Sequence, residues 1–153
     1  MTAVDDSTIH ASAVLVGARA LLIVGPSGSG KSLLALKLLQ AADAGLLPFA
    51  KLVADDRARI KACHGRLIAR PAENLKGLIE VRGLGIRRMA FEPAAIVGLV
   101  VDLAETDPKR LPTPEDQETV IAGVKLARLA VAPGTDALPL ILCLHNSQPA
   151  IGA

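Results

Sequence analysis

Tryptophan and tyrosine are absent from this chain, and phenylalanine occurs only at Phe49 and Phe91. Successive bases stack on several aromatic faces, so a stacking platform for nucleic acid is excluded. An excess of one charge is also lacking: 17 Lys+Arg stand against 15 Asp+Glu, a formal net charge of +2. That excludes a polybasic arm, and nucleic acid is not an expected partner. Cysteine occurs twice, at Cys63 and Cys143, with no metal-ligand spacing around either despite the Cys63-His64 neighbours. Neither a disulfide framework nor a zinc site follows. Long apolar runs are missing too, since Ala11 to Val24 and Ala94 to Leu103 fall short of the roughly 20 residues of a spanning helix, and Arg19 interrupts the first. Asp5 and Asp6 stand where a secretory leader carries Lys or Arg. The expectation is a soluble cytoplasmic chain without membrane association.

What is present is aliphatic: 51% of the 153 residues are hydrophobic, nearly all of them Ala, Val, Leu and Ile. A chain of this size buries roughly 68–70% of its unfolded surface, enough for one domain spanning residues 1–153 with no disulfide or structural metal. Ser12 to Val16 and Ala20 to Val24 predict a hairpin turning at Gly17-Ala18-Arg19. Lys31 to Ala42 repeats Leu34, Leu38 and Ala41 at helical spacing, widened by Leu36 and Leu39. Short strands follow at Lys51 to Ala54 and over Ile60 to Ala69, with a turn at His64-Gly65. A further segment starts at Gly77 to Val81, and a buried strand is expected at Ala95 to Val101. Glu115 to Leu129 predicts a helix capped by Thr113, and Leu138 to Leu144 a last strand. Several connections are too short to hold a crossover helix, so the sheet of this α/β chain is expected to be mixed. Between Lys51 and Arg88 ten Lys/Arg meet four acids, whereas Asp102 to Glu118 holds six acids against Lys109 and Arg110. Such segregation fits either solvated faces or a phosphate-facing or partner-facing surface.

The strongest motif is Gly25-Pro26-Ser27-Gly28-Ser29-Gly30-Lys31-Ser32, a complete G-x-x-x-x-G-K-[ST] between an apolar strand and an apolar helix. Glycines let successive N–H groups point inward, the helix N-terminus adds positive potential, Lys31 reaches the β- and γ-phosphates, and Ser32 offers a magnesium ligand. Each part answers a feature of a nucleoside triphosphate with Mg2+. Two strand ends supply acids. Asp102, after Ile96 to Val101, has the hydrophobic pattern of a Walker B aspartate, while Asp55-Asp56 after Leu52-Val53-Ala54 is an adjacent pair that repels unless a cation or a shared proton relieves it. Neighbouring side chains of a strand point opposite ways, so the two acids are expected to do different jobs, one holding magnesium and the other taking a proton from an attacking hydroxyl. The guanine-reading Asn-Lys-x-Asp and the transporter Ser-Gly-Gly-Gln are both absent.

His10, the loop Gly25 to Ser32, Leu52-Val53-Ala54-Asp55-Asp56-Arg57 and Ile79-Glu80-Val81-Arg82-Gly83-Leu84-Gly85-Ile86 together resemble, in order and spacing, the catalytic domain of HPr kinase/phosphorylase. The last string is the specific one. The resemblance runs from about His10 to Asp102 and implies a short form with only the catalytic domain. It implies a P-loop domain with a mixed sheet, like that of phosphoenolpyruvate carboxykinases. It also implies an ATP-dependent kinase of a serine on HPr, the phosphocarrier of the sugar phosphotransferase system, able to reverse the transfer with inorganic phosphate. Carried onto this sequence, Asp55 is the acid/base, Asp56 and Ser32 the magnesium side, Lys31 the phosphate lysine and His10 a phosphate-site contact. Glu80, as a further metal-side carboxylate, and Arg82 would line the same cleft; a homo-hexamer is implied as well. Pro133-Gly134 is flanked by Ala132 and Thr135 where the family tends to hold arginines. Two other readings stay open at this stage: a catalytically reduced nucleotide-binding module signalling to a sensor kinase, and a small-molecule kinase, which would want a lid rich in basic residues for which Arg57 to Arg70 could be misread.

Overall fold

Alternation of small and branched aliphatic residues builds the centre of the molecule. The computed structural model describes residues 7–104 and 108–150; residues 1–6, with Asp5 and Asp6, and Glu105 and Asp107 of the acidic stretch lie outside them. After a short β1 (Ser7–Ile9), β2 (Ala11–Val16) and β3 (Arg19–Val24) form the expected hairpin. Arg19, expected in the turn, is the first residue of β3 and pairs with Val16. Along β2, Ala11, Ala13 and Leu15 face one core while Val14 and Val16 face the other, the two-residue period of a strand buried on both sides.

Helix α1 (Lys31–Asp43) buries Leu34, Ala35, Leu38, Leu39 and Ala41 on the sheet. Each fully buried leucine contributes about 1.5–3 kcal/mol, which holds the helix where its first turn meets the loop before it. A Schellman turn ends it, with the Leu46 N–H donating to the Ala41 carbonyl at 2.8 Å and Gly45 in the left-handed region. Then come β4 (Ala50–Ala54), β5 (Ala58–Cys63), β6 (Arg66–Pro71), β7 (Leu78–Val81), β8 (Gly85–Arg88) and β9 (Ala95–Asp102).

Two expectations fail. Glu115 to Leu129 is not a helix: a 3-10 turn at Glu115–Gln117 leads into an antiparallel hairpin of β10 (Glu118–Ile121) and β11 (Val124–Ala130). Ala122 and Gly123 both take positive φ, 51° and 77°, a two-residue hairpin turn that no helix accommodates. Thr113 does cap, but it caps the 3-10 turn, exchanging hydrogen bonds with Asp116. Leu138 to Leu144 is not a strand but most of helix α2 (Leu138–Asn146), started by Pro139 in its first turn and by the Asp136 carboxylate accepting from the Leu138 N–H.

Nine strands form one curled, mixed sheet, with β9 at its centre. β9 runs parallel to β3 and β11 and antiparallel to β6, and the order on the far side of β3 is β2 then β4. One face packs on α1, α2 and β7 through Ile23, Leu38, Ile79 and Val101. The curl encloses the other core, built from Leu22, Val53, Leu67 and Val100. β7 and β8 form a separate two-stranded hairpin, β7 packed on this body through Ile79 and β8 exposed along its length. Among the described residues no helix is long and apolar enough to cross a membrane.

Candidate active site

The carboxyl ends of β3, β9 and β11 reach the same edge, since Val24 pairs with Asp102 and Asp102 with Ala130. Ligands bind outside this edge in open α/β sheets. The loop of residues 25–30 leaves β3 here and delivers its chain into α1. Its geometry needs glycine in two ways. Gly30 adopts φ 97° at the N-cap of α1, and a Cβ at Gly25 would stand 2.5 Å from Ser29 Oγ. Pro26 accepts from the Ser29 N–H at 3.1 Å, which tightens the turn at Ser27 and Gly28. Ser29 Oγ is buried without a hydrogen-bond partner among the described residues. Lys31, 5% exposed, folds over the loop and donates from Nζ to the carbonyls of Gly25 at 2.8 Å and Pro26 at 3.0 Å.

The two aspartates at the end of β4 are treated very differently. Asp55 is 7% exposed and accepts three hydrogen bonds: Ser32 Oγ at 2.6 Å and Ser12 Oγ at 2.9 Å on Oδ1, and the Glu80 N–H at 3.0 Å on Oδ2. Asp56 keeps a side chain that is 56% exposed, with Lys31 Nζ 4.0 Å and His10 Nδ1 3.9 Å from its Oδ1. Its backbone sits at φ 63°, a left-handed position that aspartate tolerates better than most residues, held by its N–H donating to Ser12 Oγ at 3.0 Å. A register shift between β2 and β4 at Ala13/Val14 adjoins this bend and aims the pair at the loop.

His10, the loop, Lys31, Ser32, Asp55 and Asp56 thus meet at one place. Glu80 reaches it through its backbone N–H, while its side chain is exposed; Arg82 is exposed in the turn between β7 and β8, and the two form no ion pair among the described residues. Asp102 stands beside the loop strand but is committed elsewhere, accepting from Arg128 Nη2 at 2.9 Å and from the Ala104 N–H at 2.8 Å. Ser12 is the residue that sequence reasoning missed. Its one signal was a hydroxyl between Ala11 and Ala13 on a strand whose every other position is apolar.

The sequence model of the HPr serine kinase C-terminal domain matches residues 2–142. The chain belongs to this family. Similar to it are the HPr kinase/phosphorylase of Clostridium beijerinckii, 40% identical over 81 residues covering 53% of this chain and 24% of that one, and the HPr kinase/phosphorylase of Geobacillus thermodenitrificans, 34% identical over 137 residues covering 82% and 42%. The chain therefore spans a quarter to less than half of the length of these relatives. The solved structure of the Hpr(Ser) kinase/phosphatase from Coxiella burnetii superposes with a TM-score of 0.70 over 92% of this chain and 94% of that one at 24% identity, which establishes a shared fold. Hard oxygen donors at Ser32 and Asp55 suit magnesium, which takes one or two protein oxygens and completes its shell from phosphate and water. The HPr kinase C-terminal domain fold thus gathers the Gly-rich loop, a pair of hard oxygen donors and an exposed carboxylate at one sheet edge.

Proposed function

We propose that this chain is an ATP-dependent, cytoplasmic protein-serine kinase acting on an HPr-type phosphocarrier, and that the same site runs the reverse transfer onto inorganic phosphate. The observation that carries the reading is the unequal treatment of the aspartate pair beside a complete phosphate loop. The two carboxylates are set in different environments: Asp55 is buried and held by three donors, whereas Asp56 is open to solvent beside a lysine. This geometry favours exchanging the roles that the resemblance implied: Asp55 belongs with Ser32 on the magnesium side, and Asp56 is the acid/base. Bound Mg2+ would neutralise phosphate charge at Ser32 and Asp55.

Lys31 and the loop N–H groups hold the β- and γ-phosphates, Lys31 exchanging its two carbonyl acceptors for phosphate oxygens. The substrate serine gives its proton to Asp56 as its oxygen bonds to the γ-phosphorus. The bond from that phosphorus to the β-γ bridging oxygen breaks, and ADP leaves. In reverse, a phosphate oxygen attacks the phosphoserine phosphorus, the serine oxygen leaves with the proton of Asp56, and pyrophosphate forms. His10, with Nδ1 3.9 Å from Asp56 Oδ1, borders the attacking phosphate. Arg82, exposed on its hairpin, faces the incoming protein, and Glu80 serves through the N–H that fixes Asp55. The reading includes assembly as a homo-oligomer, a hexamer, which the family resemblance implies.

Incubation with labelled ATP, Mg2+ and purified HPr tests the reading. Label is expected on a single serine, and with serine-phosphorylated HPr and millimolar phosphate the product is expected to be pyrophosphate. Binding of ATP with no label on HPr would overturn it.

A further inference from the structure

At the end of β3 away from the loop of residues 25–30, a cavity of about 250 Å³ opens between the sheet and the last turn of α2. Leu21 and Leu99 of the sheet, Leu47 beyond α1 and Leu144 of α2 line it, together with Arg19 and His145. We propose that this cavity binds a small amphipathic anion, a carboxylate carried on a short hydrocarbon tail. The proposal does not depend on the phosphate-loop reading, because the two sites lie at opposite edges of the sheet: Arg19 is the first residue of β3 and Val24 the last.

The lining divides the ligand's chemistry in two. Its walls are aliphatic, and Leu144, 54% exposed, belongs to neither of the fold's cores. Only Arg19 and His145 bring polar side chains to it, and no carboxylate does. Neither of the two enters an ion pair among the described residues. An arginine stays ionised and presents a fork of donors that matches a carboxylate. The strand register builds its position. Pairing steps from Ala20–Val97 to Leu21–Leu99, so Gly98 is the extra residue of a bulge, a rare device in a parallel pair. A Cβ at Gly98 would stand 2.7 Å from Arg19 Cβ and 3.1 Å from its Cγ, so the glycine is what lets the arginine stem lie against β9. An apolar stem laid on the strand with an unpaired head suits an anion whose remainder is apolar. A bare inorganic anion would leave the aliphatic walls in water, and a plain hydrocarbon would leave the guanidinium without a partner. The volume, below the roughly 300–1,000 Å³ of a drug-sized ligand site, limits the tail to a short chain.

Calorimetric titration with octanoate, octan-1-ol and acetate separates head from tail. For the unaltered chain octanoate is expected to bind, octan-1-ol to bind more weakly, and acetate to give no binding over the same concentrations. Arg19→Gln should weaken octanoate about tenfold, the loss of one charge-assisted hydrogen bond, and leave octan-1-ol unchanged. The retained octan-1-ol affinity reports that the variant is folded, and Arg19→Lys should restore part of the octanoate affinity. In amide NMR spectra of the unaltered chain, octanoate should shift Gly98, Leu99 and His145. No binding of octanoate, or octan-1-ol binding as tightly as octanoate, overturns the proposal. So does an octanoate affinity indifferent to Arg19→Gln, and so do shifts confined to residues 25–32, which would put the carboxylate on the Gly-rich loop instead.

Discussion

Two neighbouring aspartates are held in different environments because of one serine. Ser12 donates to Asp55 and accepts from the backbone of Asp56, so a single hydroxyl fixes the carboxylate of the first and the unusual φ of the second. Ser12→Ala leaves a buried carboxylate short of a donor and an N–H without an acceptor; a loss of about 1–3 kcal/mol in urea unfolding is expected. Asp56→Asn should retain ATP and lose roughly 10²–10⁴-fold in transfer to HPr, the contribution of a positioned base, in single-turnover assays. Asp55→Asn should instead raise the Mg2+ concentration needed for half-maximal transfer. Should Asp55→Asn abolish transfer at saturating Mg2+ while Asp56→Asn is silent, the exchange of roles is wrong. Asp102, bound to Arg128, is expected to affect stability and not transfer. That the loop and the pair share one sheet edge was legible in the sequence because both follow apolar strand runs and carry distinctive letters at fixed spacing. Which aspartate does what was not, because burial and donor count depend on strands far away in the chain.

At the scale of elements, periodicity read well wherever a glycine or a long repeat fixed it, as in the β2–β3 hairpin, α1 and β9. It failed at Glu115 to Leu129, where Val120, Ile121, Val124 and Leu126 suit either period and the deciding feature is the Ala122-Gly123 turn. It failed again at Leu138 to Leu144, an apolar run too short to show its period, where Pro139 and Asp136 were the signals to weigh. Alanine is a poor occupant of the left-handed region, so Ala122→Asn should stabilise the hairpin by up to about 1 kcal/mol, read as a higher Tm. The start of α2 depends on pH. The Leu138 N–H, and then Lys37, hold the Asp136 carboxyl below the usual carboxylate range. The ionised form is favoured by folding, so its contribution is complete above the unfolded value of about 3.9 and is lost as pH falls through the lowered folded value. Exchange of the α2 amides should accelerate over that acid window in the unaltered chain, and Asp136→Ala should remove the dependence.

For the whole molecule, Leu84 and Ile86 are each 70% exposed on a hairpin that also carries Arg82, Arg87 and Arg88, an apolar tip in a basic frame. If the chain assembles as proposed, light scattering at micromolar concentration should give a mass near six copies; a monomer with full activity would reject assembly as a requirement. The central position of β9 has a further consequence, in time. β2 and β3 are adjacent in the chain and can pair as soon as both exist, and so can β5 and β6. Val24 and Asp102, by contrast, are neighbours across half the chain, and the parallel β3–β9 pairing must wait for that long loop to close. During synthesis the loop of residues 25–30 is therefore translated early yet stays one-sided until β9 emerges to brace it. The loop, written near the beginning of the sequence, is among the last parts of the molecule to be braced on both sides.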